Sequence, residues 1–198
     1  MILLEWVDLM DVALGSIGMT FTGTKVCELG NQVMGRGLPP GPAKNYLLSK
    51  GVSEHVSLDL NGKDGALKCN LAQPIDQGKN HFDMVTNYGT SEHVSDQYFV
   101  FLNIHNFCRP GGVMVHAVPL VGTCPRHCQY RYDESFFKNL SSDLGYRMVL
   151  LELRKRVPYK EGHKKVTLVC SVMVKEKDVD FVHPQHLPRI FGWNGSPS

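Results

Sequence analysis

Apolar residues at Leu3, Leu4, Val7, Met10 and Leu14 recur at helical spacing and predict an amphipathic helix at the N-terminus. Beyond it the pattern shifts to short apolar runs separated by polar turns. "KVCEL" (25–29), "HVSLDL" (55–60), "ALKCNL" (66–71), "FDMVTNY" (82–88) and "VMVHAVP" (113–119) read as strands. Between them stand helical segments: "AKNYLLSKG" (43–51), closed by Gly51, and "SDQYFVFLNIHNFC" (95–108), with Ser95 as N-cap and Phe99, Leu102 and Phe107 on one face. "RPGG" (109–112) stops the second of these, and "GRGLPPGP" (35–42) excludes regular structure because its prolines lack backbone donors. In 133–145, Asp133 caps a further helix, Phe136, Phe137, Leu140 and Leu144 form its apolar face, and Gly145 ends it. Two long strands, 147–156 and 164–177, follow with a short connection, which makes them antiparallel neighbours.

Strands alternating with helices, then an antiparallel pair, predict an α/β protein of three layers with a mostly parallel sheet. Residues 1–178 are expected to form one domain, and 179–198 an irregular tail with at most a docked turn around Ile190, Phe191 and Trp193. The interval from Asp59 to Asn70 is 11 residues. A parallel crossover usually takes about a dozen or more, so either this one is a loop or the third strand is short. Ligands of open parallel sheets bind beyond the strands' C-terminal ends. That rule selects Glu28 to Gln32, Asp59, Asn70, Leu71, Asn87 to His93 and the loop after Pro119.

Composition narrows the partners. A net charge of +2 over 198 residues gives no field that favours nucleic acid or a membrane surface, so neither is expected as a partner. The basic clusters 154–156 and 163–165 read as a solvated hairpin end. Glu5, Asp8 and Asp11 break the N-terminal apolar stretch, unlike a signal peptide. A cytoplasmic setting with reduced cysteines is therefore expected. In "CPRHC", Cys124, His127 and Cys128 offer three soft or borderline ligands, but no fourth ligand or second cysteine pair follows, so no metal is expected. His116 reads as a core or rim residue of its strand.

Taken together, the strand ends resemble the class I S-adenosylmethionine-dependent methyltransferases over about residues 10–177. "VCELGNQVMG" is similar to that family's first motif and "VSLDLNG" to its second, where an acid closes strand two. "LKCNL" stands where the family has an acid or Asn followed by an apolar residue. "HFDMVTNYGTSEHV" is similar to its fourth motif, and "FCRPGGVMVHAVP" to its Pro-Gly-Gly turn into strand five. The resemblance implies a Rossmann-like, seven-stranded sheet with an antiparallel C-terminal strand, S-adenosyl-L-methionine as cofactor and a small or medium-sized methyl acceptor. It implies that Glu28, Gly30, Asn31 and Gln32 form the cofactor loop. Asp59, with Leu60 beside it, would hold the ribose hydroxyls, Asn70 and the Leu71 amide the adenine edge, and Asn87, Tyr88 and Gly89 the methionine moiety. His93 and His127 are the candidates for chemistry at the acceptor, set against plainer roles as a helix-start residue and a surface-loop residue.

The first motif lacks the family's second and third glycines, with Gln32 where one of them would stand. Gln32 then either hydrogen-bonds the ligand carboxylate or closes the pocket, and the second case leaves a non-catalytic binding or regulatory module as the alternative. A dinucleotide is disfavoured, because Gly30, Gln32 and Gly35 do not fit G-x-G-x-x-G. The Pro-Pro-Tyr signature of amino-methylation on nucleic acids and glutamine is replaced by "NYGT".

Overall fold

A computed structural model describes residues 2, 4–35, 37–123, 127–156 and 166–192. The predicted turn at 157–163, the basic cluster 163–165, Leu3, Cys124 and Trp193 lie outside the described residues.

The elements run α1 (Leu4–Gly15), β1 (Lys25–Leu29), α2 (Ala43–Ser49), β2 (Glu54–Asp59), β3 (Leu67–Lys68), β4 (Phe82–Tyr88), α3 (Gln97–Phe107), β5 (Cys108–Pro119), α4 (Glu134–Leu144), β6 (Arg147–Arg156) and β7 (Val166–Val174). They build one seven-stranded sheet in the order β3-β2-β1-β4-β5-β7-β6. The strands β3, β2, β1, β4 and β5 are mutually parallel, and β7 runs antiparallel between β5 and β6. α1 and α2 cover one face through a core that includes Trp6, Met10, Leu14, Leu47, Met84 and Val115. α3 and α4 cover the other through Phe101, Ile104, Phe136, Phe137, Val85 and Met114. This is the three-layer, Rossmann-like arrangement that the residue pattern and the resemblance imply.

The central strand β4 is buried along its whole length, as a strand covered on both faces must be. β3 is the opposite case. It keeps two residues, both exposed, and pairs only Leu67 with Leu58 and Lys68 with Asp59. The connection from β2 is a loop holding a 3-10 turn at Lys63–Gly65, with left-handed backbone at Gly62, Asp64 and Gly65. Turns of that hand let a few residues reverse the chain twice where a helix has no room.

Four expected features shift. The buried stripe of α1 is Trp6, Val7, Leu9, Met10, Ala13 and Leu14, while Leu4 is 51% exposed. Trp6 sets this rotation: its ring stacks on Tyr88 at 6.2 Å, and the Tyr88 hydroxyl donates to its carbonyl. The N-cap of α3 is Asp96, whose carboxylate accepts from the Phe99 amide at 2.9 Å, and not Ser95. Its buried residues are Val100, Phe101, Ile104 and Phe107 together with polar Gln97, Asn103 and His105. Phe99 and Leu102 are half-buried. α3 is covered on its flanks as well as by the sheet, so its hydrophobic periodicity misplaces the inward face. "RPGG" does not separate helix from strand, because α3 passes into β5 at Cys108. Gly112 lies so close to its neighbours that a Cβ would stand 2.9 Å from the Arg109 carbonyl oxygen and 3.0 Å from that of Asp83.

The tail folds back on the α3 side. Phe181, Val182, Leu187 and Ile190 pack into the second core, and Phe191 exchanges backbone hydrogen bonds with Arg131. Among the described residues no helix is long and apolar enough to cross a membrane.

Lys175, fully buried just past β7, fixes the end of the sheet away from the strand C-termini. Its ammonium donates to the Asn80 side chain and to the carbonyls of His105 and Cys108 at 2.9–3.1 Å, and pairs with Asp178 at 3.5 Å. Lys175→Met leaves two buried carbonyls without that donor. It is expected to lower unfolding free energy by about 2 kcal/mol or more, read from urea denaturation. A loss below about 0.5 kcal/mol would show that the carbonyls are satisfied without the lysine.

Candidate functional site: a cleft at the strand C-terminal ends

Beyond the C-terminal ends of β1, β2 and β4 the chain encloses a cleft of about 370 Å³. Five segments wall it: Gly30–Gln32 after β1, Leu58–Leu60 ending β2, Cys69–Ala72 after β3, Gly89–Ser95 after β4 in part, and Gln129 from the loop after β5.

The floor is a closure between the β1 and β4 loops. Gly30 has φ +77°, and its amide donates to the Leu58 carbonyl. A Cβ at Gly30 would lie 2.5 Å from the Thr90 hydroxyl and 3.0 Å from Gln32 Nε2. The Thr90 hydroxyl donates to the Leu29 carbonyl at 2.8 Å, and Gln32 Nε2 donates to the Tyr88 carbonyl at 3.1 Å and to Thr90 Oγ1 at 3.2 Å. Gly30 is thus required by two side chains of the protein that fill its Cβ space. Gln32 spends its amide nitrogen on tying the two loops while still lining the cleft.

Asp59 organises the neighbouring wall. One carboxylate oxygen accepts from the Asn31 amide and the other from the Asn61 amide, both at 2.8 Å. Each oxygen has a second lone pair, so the carboxylate retains capacity for hydroxyl donors. Asn31 also donates to Asp64 through its side chain. Asn70 is exposed, and its side-chain oxygen accepts from the Ala72 amide. The segment 71–75 hangs on Asn103 of α3, which donates to the carbonyls of Leu71 and Gln73 and accepts from the Ile75 amide. A polar residue inside an amphipathic helix pattern gives no sign from sequence that it holds a loop across the layer.

A buried network sets the far wall. Asn87 donates to Ser91 Oγ at 2.9 Å and accepts from the Ser91 amide. The Tyr132 hydroxyl donates to Gln97 Oε1 at 2.6 Å and lies 2.9 Å from Ser91 Oγ, and Gln97 Nε2 donates to the carbonyls of Ser91 and Val94. The Glu92 carbonyl accepts from the amides of Gln129 and Tyr130, joining the β4 loop to the β5 loop. These contacts present His93, 40% exposed at its side chain, to the cleft. The exposed His127 stands edge-on to it with ring centroids 5.0 Å apart. Sequence reasoning placed Thr90 and Ser91 within the selected 87–93 segment without a role, and missed Gln97 and Asn103, whose signal was no more than the polarity of residues beside an apolar run.

Glu28 is buried beneath the floor. Its carboxyl accepts from the Gln32 amide at 3.3 Å and lies 3.7 Å from His55 Nε2. Among the described residues, the other carboxyl oxygen and both His55 ring nitrogens have no hydrogen-bond partner. Burial raises the Glu28 pKa to about 8. Burial, with Lys44 adding to it, lowers that of His55 to about 4. Near neutral pH the pair is a protonated acid facing a neutral imidazole. His116 sits in the core, with Nδ1 3.3 Å from the Asn87 side-chain nitrogen Nδ2.

Of the residues selected from sequence, Gly30, Asn31, Gln32, Asp59, Leu60, Asn70, Leu71, Gly89 and His93 come together on the cleft wall. Glu28, Asn87 and Tyr88 lie behind it, buried and engaged as above. His127 reaches it only through His93. Cys124, one of the three ligands that "CPRHC" offers in sequence, is outside the described residues. Cys128, buried, faces Glu92 and His93 instead: one ligand atom from each of these three lies within 4.8 Å of the other two.

No family model matches the chain, and no curated protein matches it. Solved structures match it by shape. The 1,6-didemethyltoxoflavin-N1-methyltransferase of Burkholderia thailandensis, solved with 1,6-didemethyltoxoflavin and S-adenosylhomocysteine, aligns with a TM-score of 0.56 at 16% identity, over 86% of this chain and 81% of its own. An S-adenosylmethionine-dependent methyltransferase from Mesorhizobium loti gives 0.54 at 14%, over 81% and 95%. Phosphoethanolamine N-methyltransferase 2 of Haemonchus contortus, solved with phosphomonomethylethanolamine and S-adenosylhomocysteine, gives 0.58 at 12%, over 87% and 53%. The fold is that of the class I S-adenosylmethionine-dependent methyltransferases.

Gly30→Ala forces a side chain into the Thr90 contact at a left-handed φ. The expected cost is about 2–4 kcal/mol of unfolding free energy, from overpacking and backbone strain together. In a Thr90→Ala background the tightest contact is removed and the cost should fall towards the backbone part of about 1–2 kcal/mol, with the 3.0 Å approach to Gln32 Nε2 still to be relieved. An unchanged cost in that background would mean the closure does not set the need for glycine.

Burial also lowers the pKa of His105 to about 4 and of His116 to about 3. With His55, these are three imidazoles that the unfolded chain protonates below about 6.5 and the folded chain does not. Stability is therefore lost as pH falls from 6.5 towards 4. Glu28 has the opposite sign: folding holds its proton up to about 8, so its contribution is full below 4.5 and is lost as pH rises towards 8. Three protons outweigh one on the acid side. The urea midpoint should fall by the equivalent of about 2 kcal/mol per pH unit at its steepest below pH 6.5, and more gently towards pH 8. Glu28→Gln should flatten the alkaline limb and steepen the acid one, because the one opposing proton is removed from both. A flat profile from pH 7 to 5 would contradict neutral buried histidines.

Proposed function

We propose that the chain is an S-adenosylmethionine-dependent methyltransferase acting on a small or medium-sized acceptor. The observation that carries this reading is the cleft itself: in this fold, at the C-terminal edge of β1, β2 and β4, it sets the Asp59 carboxylate, the Gly30–Gln32 backbone and the Leu71 segment on one wall. The residues fit the cofactor's polarity. Asp59 has acceptor capacity for two ribose hydroxyls. The segment at Asn70 and Leu71 offers a side-chain amide and a backbone N–H to the adenine edge. The turn at Gly30–Gln32 and the bend at Gly89–Thr90 line the remaining length for the methionine part. S-adenosylmethionine supplies an electrophilic methyl group on sulfur. The protein's part is to bind it, keep an acceptor in line with the carbon–sulfur bond and exclude competing geometries, which is positional catalysis.

His93 lies at the Gly89–Thr90 end of the cleft, with His127 beside it. An imidazole there orients an acceptor by hydrogen bonding, and takes its proton where the acceptor must lose one. The non-catalytic alternative rested on Gln32 closing the pocket. Gln32 instead braces the wall, and the volume next to it stays open. The near-neutral chain favours an acceptor that is not a nucleic acid.

Binding is the first test. S-adenosylhomocysteine at a hundredfold excess over its Kd should stabilise the protein by about 2.7 kcal/mol, a rise of about 5–10 °C in Tm at this chain length. Asp59→Ala should abolish that rise while its own Tm stays measurable. No rise in the wild type at millimolar ligand would overturn the cofactor assignment, and an undiminished rise in Asp59→Ala would overturn the ribose contact.

A further inference from the structure

We propose that Glu92, His93 and Cys128 form a binding site for a single divalent zinc-class ion at the rim of the cleft. The three residues come from two loops, after β4 and after β5, that sequence distance separates by 35 positions from His93 to Cys128. A carboxylate oxygen, an imidazole nitrogen and a thiol sulfur lie within 4.8 Å of one another. Around a tetrahedral zinc, with bonds of 2.0–2.3 Å, neighbouring donors stand about 3.5 Å apart. The site therefore closes with shifts of about 1 Å among the three donor atoms, and the exposed His93 side chain has the most freedom to move.

Those two are fixed by the fold. Glu92 and Cys128 are 5% and 1% exposed. The Glu92 carbonyl accepts from the amides of Gln129 and Tyr130, the two residues directly after Cys128, at 3.0 Å each. The Tyr130 hydroxyl donates to the Ser95 carbonyl on the other side of His93. Two loops clamped on both flanks of the donor set provide the preorganisation a metal site needs. Gly89 belongs to the same construction, since a Cβ there would stand 3.2 Å from the Glu92 carboxylate.

Thiolate, imidazole and carboxylate together select zinc or cobalt over magnesium or calcium, which take oxygen ligands. Three protein ligands leave a fourth position for a water or a donor atom of the acceptor, as in sites where the metal takes part in chemistry. In this arrangement His93 holds the ion, and His127 packs edge-on against its ring.

The test uses the full chain without cofactor, so its outcome does not depend on the methyltransferase reading. The protein is stripped with chelator and titrated with Co²⁺ under reducing conditions. One equivalent is expected to bind, with the intense visible bands of four-coordinate cobalt and a sulfur-to-metal charge-transfer band in the near ultraviolet. Zn²⁺ should displace it. Cys128→Ser should lose the charge-transfer band, and His93→Ala, an exposed change that leaves the fold intact, should weaken binding at least tenfold. Failure of the wild type to bind Co²⁺ or Zn²⁺ at micromolar concentration overturns the proposal. So does a charge-transfer band that survives Cys128→Ser, or affinity unchanged in His93→Ala.

Discussion

At the bare α-carbon of Gly30, the Thr90 hydroxyl occupies the space where any other residue would carry its Cβ. From that hydroxyl a hydrogen bond returns to the Leu29 carbonyl, and Gln32 adds a second link to the Tyr88 carbonyl. The adjacent central strands β1 and β4 are thereby joined beyond their last ladder pairs. The cleft depends on this join, because its floor is made of the same residues. A glycine loop is commonly understood as making room for a ligand. Here the room is taken by the protein, and the outer side of the closed turn lines the cleft.

The rest of the site is hung from this floor by side-chain hydrogen bonds rather than by secondary structure. Asn87, Ser91, Gln97 and Tyr132 form a buried set in which most polar groups have partners, the condition under which such a network rigidifies instead of costing stability. Asn103 does the same for the Cys69–Ala72 wall from the middle of α3. The consequence is that helix α3 serves two walls at once. The tail, docked through Ile190 and the Arg131–Phe191 pairing, covers the loop that carries Tyr132.

Electrostatically the site is quiet on the inside and polar at the rim. Glu28 and His55 sit under the floor in their neutral forms, because burial disfavours each charge more than a 3.7 Å separation rewards the pair. At the cleft itself Asp59 lines one wall and His93 the other, with buried Glu92 and Cys128 set behind His93.

The sequence by itself determined the element order, the burial of β4 and the antiparallel end of the sheet, since these follow from local periodicity and short connections. It also picked out Gly30, Asp59, Asn70 and His93, because strand ends are legible as apolar runs stopped by a polar residue. It misread α1 and α3, whose inward faces are set by Trp6 on Tyr88 and by coverage of α3 on its flanks, neither of which leaves a periodic trace. It assigned Glu28, Asn87 and Tyr88 a ligand-facing place from their position in a motif, but alternation along a strand and packing against the helices turn them inward. It grouped Cys128 with Cys124 and His127 by adjacency, whereas the tertiary structure sets it against Glu92 and His93. Spacing along the chain reports only what one element brings together. The partners of a loop residue are chosen by which strand ends the sheet order places side by side, and that order is fixed by the packing of both layers at once.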